Sequence, residues 1–526
     1  MGAYMKKVTL SIVLISLVAV TFLFAQETVE EMMRKMQEET QQMMQADQKA
    51  VADYIAEQDA AFAKFLEEDW KMFQSFVSEN QYEKPKPTKL PVAEVKPESE
   101  YKGPEAEALA IPEPPSPEAP DLTIEKEAPK IAEKAPAPVT DSYGVVEPAQ
   151  PVKESPTPRV TETAVMDFAF FDAVLKFEFD RRFLSIQLES INNQAISKYW
   201  ESMSATDFDR FLYQISRYSM KMRINDWGYS LMIYQIGKQI YGGDENMANL
   251  FTWFMLSKSG YNIKVAYDEN YTYLLIPTQN KLYATPYITI DGQRYYITSF
   301  EQRKQKMGAL YTYRGEYPGA DQIVSLDIKD SPVFKNAVSE RDLKFTYAGT
   351  PYSIPVKFSN DAVNYFQYYP QTNYEVYFGA KVAPLANYSL LKQLTAIIDG
   401  KTEAEAVNIL LRFVQTAFEY KTDGEYFGRE KPMFVEETIF YPYSDCEDRS
   451  VLFAHLVKNL LGLDVVGLNF PGHMATAVKF HSDIQGDAVR YEGMTYVICD
   501  PTYINASIGQ CMPQFKDIAP RVIKIG

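Results

Sequence analysis

Cysteine is scarce in this 526-residue chain, with only Cys446, Cys499 and Cys511 present. Three thiols exclude a disulfide framework. A single Cys499–Cys511 bridge that leaves Cys446 free, and three reduced thiols, both stay open. Positive charge is in deficit as well: 53 Lys and Arg stand against 70 Asp and Glu, for a net charge of −17. Nonspecific nucleic-acid binding needs a basic surface, so that class is excluded. Of the three histidines, His455 falls mid-helix as a structural residue and His481 in a solvated stretch, which leaves His473. What the chain does have is aromatic bulk, 37 Tyr and 31 Phe, enough for a sizeable core.

The N-terminus reads as a targeting segment. Lys6 and Lys7 precede an apolar run from Val8 to Phe24, and Ala25-Gln26 offers a small-residue cleavage point. No cysteine follows the run, which argues against a lipoprotein. Export to a periplasmic or extracellular, cell-surface location is expected. Leu23 suits cleavage poorly, so a removed signal peptide (1–25) and a retained membrane anchor are both open.

Residues 26–80 contain neither glycine nor proline and read as one long helix. Phe62, Phe65, Leu66, Trp70, Phe73, Phe76 and Val77 recur at three- and four-residue spacing, after a methionine stripe of Met32, Met33, Met36, Met43 and Met44. The expected role is a coiled coil, for self-association or a protein partner. More than half of the 31 prolines lie between Pro85 and Pro158. Residues 81–160 therefore read as an extended, mobile linker.

The chain becomes globular at 161, and its fold class is α+β. Helical patterns cover 164–258 and strands 263–300. The stretch 306–385 is β-rich, and helices return over 387–421. Thr402 caps one of these helices, with Glu405 three residues on.

Cys446 sits in "YPYSDCEDRS" between acids that oppose a thiolate. Ser444 followed by Glu447 forms a capping-box pattern that starts a helix running to Gly462. Cys446 then lies in the first turn, where the helix dipole favours negative charge and lowers a thiol pKa. On this reading Glu447 caps, and Asp445 and Asp448 point outward. His473 follows the Pro471-Gly472 turn and opens a strand, and Asp500 ends the next strand. A Cys, a His and an Asp so placed suit a nucleophile, its base and the base's orienter.

Residues 386–510 resemble the transglutaminase-like superfamily, through "SDCEDRSVLFAHLVKNLLGLDVVGL", "GHMATAVKF" and "TYVICDPTY". The resemblance implies a papain-like fold over 386–526, with Cys446, His473 and Asp500 as the triad. "DCED" is similar to bacterial transglutaminase-like cysteine proteinases, which implies an exported protease or amidase acting on peptide or protein amides. Some of those relatives bind calcium through acids flanking the cysteine, here Asp445 and Glu447. The rival expectation is a scaffold that uses this fold to hold peptides or glycans without turnover.

An earlier stretch repeats the pattern. "GGDENMANLFTWFMLSKSGYNIKVAY" lies over the Cys446 region at an offset of 202, with Gly260 on Gly462 and Leu250-Phe251 on Leu452-Phe453. Asp244 falls on Cys446 and Tyr271 on His473. One residue out of that register, Ser299 falls on Asp500. Residues 161–305 are thus expected to be a degenerate lobe that keeps the apolar frame without the reactive groups. A fold that stands without them assigns Cys446 to chemistry rather than packing.

Overall fold

In "TAVMDFAFFDAVLKFEFD" the large apolar residues alternate, and alternation is the signature of a half-buried strand. The computed structural model places an antiparallel hairpin there, not the expected helix. Phe168, Phe170, Leu175, Phe177 and Phe179 line its inner face. The structure describes residues 2–82, 84–94, 108–117, 122, 124, 162–301, 308–334 and 338–525, with 2–30 as backbone alone. Most of the expected 81–160 linker lies outside the described residues.

Helix α1 spans Gly2–Glu68, and its residues up to Ala63 belong to a compact unit separate from the rest. Strands β1 (Trp70–Gln74) and β2 (Phe76–Val77) follow. The helix therefore ends well before residue 80. Trp70 packs its ring against Tyr267 and Tyr313, and β1 pairs with β9 (Ala309–Tyr313), so sheet contacts override the helical spacing.

The hairpin β3 (Thr163–Phe170) and β4 (Ala173–Asp180) leads into helices α2 (Asn193–Ser204), α3 (Phe208–Met222), α4 (Asp226–Ile240) and α5 (Glu245–Lys258). Four strands come next: β5 (Lys264–Tyr267), β6 (Thr272–Ile276), β7 (Pro286–Ile290) and β8 (Gln293–Thr298). With β1, β2 and β9 they form one sheet of order β1-β9-β5-β6-β8-β7-β2. Only Ser75 separates β1 from β2, yet they pair at opposite edges, so this antiparallel sheet curls into a nearly closed barrel.

A second hairpin, β10 (Val338–Tyr347) and β11 (Thr350–Ser359), opens the C-terminal half. Helices α6 (Asn360–Phe366), α7 (Tyr374–Gly379), α8 (Pro384–Ile398) and α9 (Glu403–Thr416) follow. Two of these fall inside the 306–385 stretch expected to be β-rich. The Thr402 side chain accepts from Glu405 N–H at the start of α9, as its sequence indicated. Then come β12 (Glu419–Tyr420), α10 (Asp423–Tyr426), α11 (Val435–Phe440), β13 (Tyr443–Ser444) and α12 (Cys446–Leu461). Strands β14 (Asp464–Phe470), β15 (His473–Lys479), β16 (Ala488–Tyr491), β17 (Met494–Cys499) and β18 (Arg521–Lys524) build a curled half-barrel of order β16-β17-β15-β14-β18.

The two sheets share one topology. In each, a long helix precedes four strands, the first pairs with the second, the second with the fourth and the fourth with the third. The strand that follows, β9 or β18, then adds antiparallel to the first. Each half also begins with a hairpin, β3–β4 or β10–β11. The order of elements that the two halves share thus reaches back to the hairpins at residues 163 and 338.

One buried acid predicts a pH dependence. Glu436 on α11 is 1% exposed and accepts from Ala383 N–H. Burial, with the Glu437 charge adding to it, pushes its carboxyl up to about 7 from 4.5. The folded chain then binds this proton more tightly than the unfolded one. Stability is full below pH 4.5 and declines toward pH 7. Glu436→Gln keeps the carbonyl acceptor and removes the titration. Its stability should match the parent near pH 5 and exceed it at pH 8 by about 3 kcal/mol, read from urea midpoints. An equal gain at both pH values would refute this assignment.

Candidate functional site

The first turn of α12 carries Cys446, fully buried. As the first helical residue it has a backbone N–H with no acceptor inside the helix. The Met474 N–H donates to its sulfur, and Ser450 Oγ, one turn along α12, donates to Met474 O. The helix start is thereby fixed against the beginning of β15. His473 is there because β14 and β15 join through a two-residue turn, Pro471-Gly472, with Phe470 opposite His473. Gly472 sits at φ +76°, where a side chain is disfavoured.

Strand β17 pairs with β15 through Thr476 and Cys499, which brings Asp500 beside His473. His473 Nε2 and Asp500 Oδ2 are 2.9 Å apart, and both residues are buried. The other carboxylate oxygen accepts from Thr502 N–H and Oγ1 and from Tyr503 N–H. Burial opposes the charge of Asp500, but the His473 charge and these hydrogen bonds prevail and hold the carboxyl below its usual range. With Nε2–H directed at Asp500, His473 Nδ1 is left as the base. It is buried and has no hydrogen-bond partner among the described residues. The Phe515 ring lies 5.0 Å from the imidazole at an interplanar angle of 7° and fixes its plane. Of the three predicted residues His473 and Asp500 pair directly, and Cys446 adjoins them through Met474, its thiol directed to Glu447.

The acids around Cys446 do not behave as their sequence suggested. Asp445 is the N-cap, and its backbone N–H bonds to Asp448 Oδ2 at 3.0 Å; Ser444 instead accepts from Arg449 Nε. Asp445, Glu447 and Asp448 are all buried rather than turned outward. Asp448 Oδ1 also accepts from Met433 N–H, so this side chain ties the α11 approach to the start of α12. The Cys446 thiol donates to Glu447 Oε2 at 3.2 Å. Burial, then the charges of Glu447 and Asp445, push the thiol pKa well up; Lys86 and the Met474 N–H oppose them without prevailing. The helix dipole therefore does not yield a ready thiolate in this state, contrary to the sequence argument. All three cysteines are free and buried.

Two buried cations answer the acids, and sequence reasoning missed both. Arg449 donates to Ser444 Oγ, Gln415 O and Phe418 O, and stacks over Tyr420. Lys86 comes from the stretch read as a mobile linker. Its Nζ lies 2.7 Å from Asp445 Oδ2, 2.5 Å from Glu430 Oε1 and 3.3 Å from Asp423 Oδ2, and it donates to Glu447 Oε1. Burial alone would lower its pKa, but Asp445, Glu447 and Asp423 outweigh that and raise it. The apolar Tyr82, Leu90 and Val92 beside it were the only signal in the sequence.

The Lys86 ammonium occupies the acids that the resemblance assigned to calcium: it faces Asp445 Oδ2 and Glu447 Oε1, and Glu447 Oε2 takes the thiol, while Asp445 Oδ1 has no hydrogen-bond partner among the described residues. The Gln415 amide nitrogen on α9 donates to the carbonyls of Asp500, Tyr503 and Ala506, which holds the chain after β17 in place. His455 bonds to Asn387 and His481 to Glu403, so neither approaches the triad.

No family model, curated protein or solved structure matches this chain.

Proposed function

We propose that the chain is an exported thiol acyl-transfer enzyme of the transglutaminase-like kind, a cysteine protease or amidase acting on peptide or side-chain amides. The observation that carries the reading is the buried His473–Asp500 pair, with Nδ1 unspent, on strands fixed against the first turn that holds Cys446. Cys446 Sγ adds to the amide carbonyl as its proton passes to His473 Nδ1. The Cys446 N–H receives the developing oxyanion. The imidazolium, held by Asp500, returns the proton to the departing nitrogen; the C–N bond breaks and a thioester remains. Water, deprotonated by the same imidazole, then releases the acid and restores the thiol. An amine in place of water would give cross-linking. Before attack the thiol proton must leave Glu447 and turn to His473, so the described state is a resting one.

Residues 163–313 serve, on this reading, as the degenerate lobe. Asp244 caps α5 where Asp445 caps α12, and Ser299 follows β8 where Asp500 follows β17. The sealed, high-pKa thiol favours a second reading, a non-catalytic scaffold that holds peptides or glycans. Mass spectrometry of a peptide-amide library incubated with the chain and with its Lys86→Ala variant decides between them. Product or a thioester adduct on Cys446 supports the enzyme; neither from either chain leaves the scaffold.

The α1 methionines Met32, Met33, Met36 and Met43 are each more than half exposed, an apolar stripe suited to a second copy or a partner. Since Phe65 and Trp70 pack on Tyr313, a deletion should stop at 63. Removing 27–63 should lower the light-scattering mass by the oligomer's full factor, and an unchanged mass per chain would dismiss self-association. Among the described residues no helix is long and apolar enough to cross a membrane. The Val8–Phe24 run, on which export rests, has only its backbone described.

A further inference from the structure

We infer that Asp423, Glu430, Asp445 and Glu447 form a binding pocket for the primary ammonium of a lysine on an extended peptide, held here in cis by Lys86. The site's use, delivery of a peptide to Cys446, rests on the acyl-transfer reading; the pocket itself does not.

The pocket offers more acceptors than its occupant has donors. An ammonium has three N–H donors, and four carboxylates surround the Lys86 Nζ. The spare capacity is visible: Asp445 Oδ1 is buried and without a hydrogen-bond partner among the described residues. Glu447 shares its two oxygens between the ammonium and the Cys446 thiol, so whatever fills the pocket touches the nucleophile's own partner. The Tyr82 ring lies 4.8 Å from the same ammonium and adds its π-face. Glu430, with a side chain 29% exposed, marks the solvent side, while the other three acids are deep.

The backbone that presents Lys86 behaves like a bound peptide. Residues 85–87 run without a bend between bends at Lys84 and at Thr88-Lys89, with Pro85, Pro87 and Pro91 fixing φ and withholding N–H groups. The Pro85 carbonyl lies against Gly472, one residue before His473; a Cβ on that glycine would stand 2.9 Å from it. Tyr420 Oη donates to Pro87 O at 2.9 Å, and Ala93 N–H donates to Ile504 O at 2.8 Å. The segment thus passes between the His473 turn and the Cys446 helix, in the place an amide substrate would take. A compact point charge suits the pocket, and the wider planar guanidinium of arginine suits it less.

The test uses the full chain with Lys86→Ala and a small probe, Nα-acetyl-lysine N-methylamide, read by thermal melting at constant ionic strength. At about ten times its Kd the probe should raise Tm by about 1–2 °C. The arginine analogue should do less, and the norleucine analogue nothing. If Lys86→Ala does not fold, Lys86→Ala/Glu447→Gln removes one carboxylate with the ammonium and carries the same measurement. Equal shifts from the lysine and norleucine probes would overturn the inference, as would no shift. Stabilisation by Ca²⁺ alone would make the cluster a metal site and overturn it too. A Cys446→Ala background separates this outcome from the catalytic one, because the probe's shift should persist there whether or not the chain turns over.

Discussion

On the proposed acyl-transfer mechanism, Cys446→Ala is expected to abolish amide hydrolysis and thioester formation while leaving the fold in place. Loss of a nucleophile that acts with a base as one unit costs on the order of 10⁶-fold in kcat. Nothing nearby replaces it: Cys499 ends β17 and Cys511 lies beyond it, each with its thiol pKa raised by burial. The structural cost is modest: alanine removes one sulfur, its bond to Glu447 and the bond it accepts from Met474 N–H, while Ser450 still ties α12 to Met474 O. It also removes a thiol whose ionisation burial and two carboxylates oppose. A drop in Tm of no more than about 5 °C is expected. Activity that survives the substitution would end the thiol mechanism, and a chain that unfolds would return Cys446 to packing.

Much of the candidate site was legible because its signals are local. Pro471-Gly472 makes a turn of fixed length, so His473 must open a strand, and it does. Asp500 was expected at the end of a strand and directly follows β17, whereas its bonds from Thr502 and Tyr503 emerge only in the structure. The charge state of Cys446 was not legible in this way. "SDCED" shows that acids are adjacent, but not that Lys86, distant in sequence, enters their midst. Proline content argued for a mobile spacer. Yet a proline-fixed segment loses less entropy on docking, and Tyr82, Leu90 and Lys86 give it contacts to dock with. The fold errors have the same origin. The alternation of Phe168, Phe170, Leu175 and Phe177 was read with a helical period, and the aromatics after Glu68 were carried on as helix although they pair in a sheet.

The duplicated topology gives the site its economy. Both halves put a capped helix before a sheet of the same strand order, so the frame alone demands an acid at the helix cap and apolar strands. What the second half adds is confined to three positions and to the cluster that faces Lys86. In the first half Asp244 accepts from Met247 N–H, an ordinary cap, and Ser299 Oγ accepts from Glu301 N–H, an ordinary turn. Asp244 and Asp445 thus serve the same cap in the two halves, which places Glu245 rather than Asp244 where Cys446 stands, and Ser299 where Asp500 stands.

Asp500→Asn should cost on the order of 10⁴-fold in kcat, with KM little changed, because it reverses the tautomer of His473. The asparagine keeps one oxygen for the Thr502 and Tyr503 N–H groups, which turns its NH₂ toward His473 Nε2. Two donors cannot face each other, so the imidazole carries its proton on Nδ1 and has no lone pair for the Cys446 proton. ¹⁵N resonances of His473 should show this exchange of protonated nitrogen, a signature that mere loosening of the fold would not produce. Stability should change with a definite sign. The Asp500 carboxyl is held below its ordinary 3.8, so its contribution is present above that pH and lost as pH falls through the folded value. The Asn variant lacks that term. Its stability should approach the parent's in acid and fall short of it at neutral pH. A variant with full activity and an unmoved tautomer would detach Asp500 from the base. The His473–Asp500 contact would then be an ordinary buried ion pair, and the catalytic reading would lose the geometry that carries it.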